Sequence, residues 1–149
     1  MYVSVASAAA ALLVSAVMPY PVVAHLGGTP VRAPIEHDTW GNCPAHTFVL
    51  DAGGLGAAKR ALLLALPTIA MQASPPLKLG GARVINVTHT RRDGFILPTR
   101  RSCQGTSFLR SALVQIVLPA ERAAPDLRGN PWFYVARTRD GWIVWDQAH

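Results

Sequence analysis

The widest chemical repertoire in this chain belongs to two cysteines, Cys43 and Cys103, and five histidines. An even cysteine count in a short exported chain points to a disulfide rather than to reactive thiols. A Cys43–Cys103 bond closes a loop of about 60 residues, and in the chain-entropy model that contributes about 4 kcal/mol. Competing chemistries are thinner. Cys43 and His46 make one C-x2-H half-site, to which His37, His89 or Cys103 would have to be added by folding. Structural zinc sites use paired halves, so no metal and no cofactor is expected. His25, if it became the N-terminus, would offer an amine–imidazole chelate for copper. Cys103 follows Arg100 and Arg101, whose charge favours a thiolate, and His89 could act as its base. The second cysteine argues for a bond instead. No G-x-S-x-G elbow exists for a serine nucleophile. The remaining catalytic candidate is an acid–base pair of His89 and Asp146 in a pocket.

Binding is better represented than catalysis. The formal net charge is +6, carried by twelve arginines and only two lysines. A basic surface favours anionic partners such as envelope polymers or lipid head groups. Arg91, Arg92, Arg100 and Arg101, with Arg110 further on, form the densest basic group. Nucleic-acid modules interleave such charges with exposed aromatics, and only Phe95 lies nearby, so nucleic acid is disfavoured. Near the C-terminus, Trp142 has Arg137 and Arg139 close in sequence. An arginine stacked on an exposed tryptophan contributes about 0.5–1 kcal/mol, and this aromatic–cationic group is the preferred binding surface.

The elements that must hold these residues follow from the chain's punctuation. Residues 1–24 carry no charge and contain an apolar run from Val3 to Met18, then Pro19-Tyr20-Pro21. Val22 and Ala24 suit positions −3 and −1 of a cleavage site, so 1–24 reads as a signal peptide cut before His25. No lysine or arginine precedes the apolar run, and an uncleaved segment would be the chain's one route to a membrane. Residues 25–39 read as a flexible arm, and 40–149 as the folded domain. Thr47 to Leu50 suits a short strand, and Asp51 stands at an N-cap position. Ala- and Leu-rich Leu55 to Leu66 is the main helix, with Leu55, Leu62, Leu63 and Leu66 as its apolar face. Pro67 either ends it or starts a kinked extension. Four strands follow: Ala82–Thr90, Phe108–Leu118, Trp132–Arg139 and Trp142–Asp146. In the first of these, Arg83, Ile85, Val87 and His89 share a face. Asn86-Val87-Thr88 matches a glycosylation sequon but falls mid-strand.

TRDGWIVW, from Thr138, resembles TRRDGFIL, from Thr90, only over its core, so the two are separate turns rather than a repeat. Asp140-Gly141 predicts a type I′ hairpin, pairing Arg139 with Trp142 and Thr138 with Ile143. One face then carries Tyr134, Ala136, Ile143 and Trp145, expected to meet the helix. The other carries Phe133, Val135, Arg137, Arg139, Trp142 and Val144, expected to be the binding face.

The fold class is therefore α+β, with one main helix on a curved antiparallel sheet of about four strands and a single disulfide. This element order resembles the cystatin-like and NTF2-like folds, and VARTRDGWIVWD resembles the last hairpin of exported NTF2-like domains. The cystatin resemblance implies protease-blocking loops, for which Gln115-Ile-Val-Leu-Pro119 and Pro131-Trp132 are partial matches. Pro119 replaces the glycine of that loop, and the spacing differs. The expected function is a secreted or envelope-associated, non-catalytic binding domain with a protein or anionic envelope partner. The alternative is a small extracytoplasmic enzyme with His89 in its pocket, and a purely structural envelope component is a third reading.

Overall fold

The structure, a computed structural model, describes residues 20–34, 41, 43–72, 81–90, 109–118 and 131–148. It is an α+β fold with one helix against a mixed six-stranded sheet. In chain order the elements are β1 (Val22–Leu26), β2 (Thr29–Arg32), α1 (Ala52–Met71), β3 (Arg83–His89), β4 (Ala112–Val117), β5 (Trp132–Thr138) and β6 (Gly141–Ala148). Across the sheet the order is β1-β2-β6-β5-β4-β3. Neighbours are antiparallel except β2 and β6, which run parallel.

Six strands replace the expected four because the segment read as leader end and arm is itself a hairpin. Gly27 and Gly28 both take positive φ, 55° and 79°. That is what a two-residue turn demands, and glycine adopts it without steric cost. Leu26 thereby pairs with Thr29, and β1 crosses the boundary expected between Ala24 and His25.

The helix begins where Asp51 caps it. The Asp51 Oδ1 accepts a hydrogen bond from the Gly54 N–H at 2.7 Å, meeting one of the orphan donors of the first turn. It then runs through Pro67 to Met71. Pro67 lies on the exposed side, and the carbonyl it leaves without a partner belongs to Leu63, also exposed, where water can satisfy it. The buried side is Ala58, Ala61, Leu62, Ala65, Leu66, Ile69 and Ala70. Leu63 is therefore not on the packed face as expected. Mostly alanines touch the sheet, and small side chains let the helix lie close to it.

Two cores result. On the helix side, Val31, Leu62, Leu66, Val114, Ile116, Phe133, Val135, Trp142 and Val144 pack together. Beyond the sheet, Tyr20, Leu113, Tyr134, Ala136, Ile143 and Trp145 form the second. The Tyr134 and Trp145 rings lie 5.1 Å apart, and the Trp145 Nε1–H donates to Ser111 Oγ at 3.0 Å. The expected face assignment is thus reversed: the helix sits on the Phe133–Trp142 side. Phe133 through Ala136 are buried one after another, so alternation could not tell the two faces apart.

The register of the last hairpin also differs from expectation. Thr138 pairs with Gly141, Arg137 with Trp142 and Ala136 with Ile143. Arg139 and Asp140 form the tip without positive φ, and Gly141 takes φ +121°. The Asp140 N–H donates to Thr138 Oγ1 at 3.2 Å, and the Thr138 hydroxyl donates to the Gly141 carbonyl at 3.0 Å. Relative to expectation the partners of Val135 to Thr138 move by two residues, which preserves the faces there, and an irregularity between Tyr134 and Val135 reduces the shift to one residue beyond it.

Candidate functional site

The tips of the two hairpins meet because β2 docks beside β6. Val31 stands opposite Trp142 and Arg32 opposite Ile143. A Cβ on Gly141 would lie 2.3 Å from the Pro30 carbonyl oxygen, so this position excludes any side chain. Glycine is needed here twice, for its φ and for the backbone beside it.

Between the tips lies a solvent-open cleft of about 410 Å³, lined by Gly28, Thr29, Pro30, Arg32, Arg137, Arg139, Asp140 and Gly141. Three arginines and a single acidic residue thus line one concavity, with Arg32 level with Ile143 and Arg137 level with Trp142 in the sheet. Arg32 Nη1 donates to the Tyr20 carbonyl at 3.0 Å. Its Nε is buried without a hydrogen-bond partner among the described residues, and so is Arg137 Nη1. Leaving a buried donor unmet costs about 1–3 kcal/mol. The Arg137 guanidinium carbon lies 5.6 Å from the Trp142 ring centroid, which fixes the direction of its side chain.

The residues proposed from sequence fall in different parts of the chain. Arg137 and Arg139 line the cleft. Trp142 does not present a surface: it is 6% exposed and belongs to the helix-side core. It lies opposite Arg137 rather than Arg139, so it supports one arginine from below instead of lying between two. Arg91, Arg92, Arg100, Arg101 and Cys103 lie outside the described residues. No free cysteine is found among those described, which include Cys43. Arg110 donates from Nη1 to the Thr47 carbonyl at 2.9 Å, bracing the segment ahead of α1.

His89 and Asp146 are not brought together. His89 stands in a cross-strand row with Ala112, Val135 and Val144. From β3 to β6 is three inter-strand steps, roughly 14 Å, far beyond hydrogen-bond reach. The shared face expected for β3 is also broken. A register irregularity between Val84 and Asn86 leaves Ile85 exposed, while Val84 and Val87 pack on the helix-side core. Asp146 is buried, and its Oδ1 accepts from the Gln147 N–H at 2.8 Å. Among the described residues no three His, Cys, Asp or Glu side chains are grouped to hold a metal ion.

Arg32 is the site residue that sequence reasoning passed over. Gly27-Gly28 between VVAHL and TPVR, a two-glycine turn between strand-like runs, signals the hairpin that carries it but not where that hairpin docks. Reading the first run as a leader and the second as an arm concealed it. Comparisons with protein-family models, with curated proteins and with solved structures return no match.

Proposed function

We propose that this chain is a secreted or envelope-associated, non-catalytic binding domain that holds an anionic group of its partner in the cleft between the two hairpin tips. The observation that carries the reading is that Arg32, Arg137 and Arg139 all line one open concavity whose only acidic lining residue is Asp140. Planar guanidinium forks bind carboxylate and phosphate oxygens in pairs, through short charge-assisted hydrogen bonds. Three cations against Asp140 leave an excess of positive charge that a phosphate or carboxylate would neutralise. The export half of the reading rests on the uncharged apolar segment ahead of Tyr20 and on the two-cysteine count.

The build we propose is cystatin-like or NTF2-like, supported by a helix followed by four strands that neighbour one another in order, β3-β4-β5-β6. Within it, Cys43 and Cys103 form the single disulfide. The exported chain should then be lighter than its reduced form by two hydrogens. A mass unchanged by reduction would remove the bond.

The test of the cleft is a titration with inorganic phosphate followed by backbone amide NMR. Shifts should gather at Gly28, Thr29 and Arg137 to Gly141, and weaken as salt is raised. Arg139 is an exposed tip residue, so Arg139→Gln should keep the fold while weakening phosphate about tenfold. Shifts spread evenly over the surface, or an Arg139→Gln variant that binds equally well, would refute the site.

A further inference from the structure

We infer that export processing leaves Tyr20 in the mature chain, so that any cut falls before Tyr20 and not before His25. This concerns where the folded domain starts, and it stands whatever the cleft takes. The expected site after Ala24 has the small residues a signal peptidase wants, but the cut would pass through the middle of β1. Val22 pairs with Arg32 and Ala24 with Val31, leaving only His25–Pro30 and Leu26–Thr29 to hold the remnant. Two pairs beside a glycine turn are too few to keep a strand on a sheet edge.

The residues that would be lost are built into the domain from three directions. Tyr20 is 2% exposed and packs in the second core with Leu113, Tyr134 and Trp145. Val23 and Ala24 pack against the helix-side core. The carbonyls of Tyr20 and Pro21 accept hydrogen bonds from Arg32 Nη1 at 3.0 Å and from the Ala33 N–H at 3.4 Å. Flexible leader ends and arms make no such contacts, since a segment destined for removal has no part in the core. Burying a tyrosine in each folded copy is the opposite arrangement. The retained residues also reach the cleft, because Tyr20 holds one nitrogen of the Arg32 guanidinium. Tyr20 follows the apolar run from Val3 to Met18 after a single residue, Pro19. Whether that run is cut or kept, little slack separates it from the first strand.

The experiment is intact mass and N-terminal sequencing of the full chain after export. The mature N-terminus should lie at or before Tyr20, and a chain beginning after Tyr20 overturns the inference. Val22 offers an independent arm because it is 41% exposed while standing at position −3 of the expected site. Val22→Arg would block a cut before His25 without entering a core. Its mature mass should differ from the parent only by the substitution, and a longer chain in the variant would show that the cut after Ala24 had been in use. Tyr20→Ala should lower the melting temperature by about 5 °C or more. An unchanged melting temperature would mean that the domain does not depend on this residue, and would count against its retention.

Discussion

The arginine cleft and the His89–Asp146 pair both join residues distant in sequence and end in opposite ways. Arg32 is more than a hundred residues from Arg137, yet both line one cleft. His89 and Asp146 are nearer in sequence and finish three strands apart. The difference is made by the parallel docking of β2 on β6, which folds the N-terminal hairpin onto the C-terminal one. Four strands laid down in sequence order can only move their first and last members apart. A site in such a sheet arises at the seam where distant segments meet, and here the seam is Pro30 against Gly141.

The largest expected effect comes from breaking that seam. In Gly141→Ala, the new Cβ would press on the Pro30 carbonyl at 2.3 Å, a backbone atom that cannot rotate away, at a φ of +121°. Strain and overpacking together should destabilise the domain by about 2–4 kcal/mol, read as a lower denaturation midpoint. Phosphate binding should fall more than in Arg139→Gln, because one wall of the cleft moves. If Gly141→Ala were as stable as the parent and bound phosphate normally, the seam would not be what assembles the site.

The same contrast explains what could be read from the amino-acid sequence. The helix, its Asp51 cap, the four later strands and the C-terminal hairpin are all local features, announced by propensity, capping chemistry and an Asp-Gly turn. Arg137 and Arg139 were found because they flank that turn. The reversed faces were not legible, since both sides of β5 and β6 are buried and carry apolar residues in both phases. Trp142 was misread for that reason: a tryptophan among arginines looks like a surface aromatic until a helix covers it. The hairpin register depends on which residues take positive φ, and placing the turn at Asp140-Gly141 rather than at Gly141 alone displaces the partners of Val135 to Thr138 by two. Arg32 depended on a parallel contact between the two ends of the chain, for which no local signal exists. Even the Gly27-Gly28 turn suggests only that a hairpin forms, not where it docks.

The smallest expected effect sharpens the comparison from its other side. His89 is partly buried near the end of an edge strand, beside Ala112, and makes no described contact with the cleft. His89→Gln keeps a polar side chain of similar length there, and should change stability by no more than about 0.5 kcal/mol. Phosphate titration should be indistinguishable from that of the parent, since β4, β5 and β6 intervene. Such a result would fit a molecule whose binding chemistry sits at the hairpin seam alone. A His89→Gln variant that lost a measurable hydrolytic or isomerising activity of the parent would reverse the ranking. It would require a second partner for His89 from outside β6, because Asp146 cannot reach it across three strands.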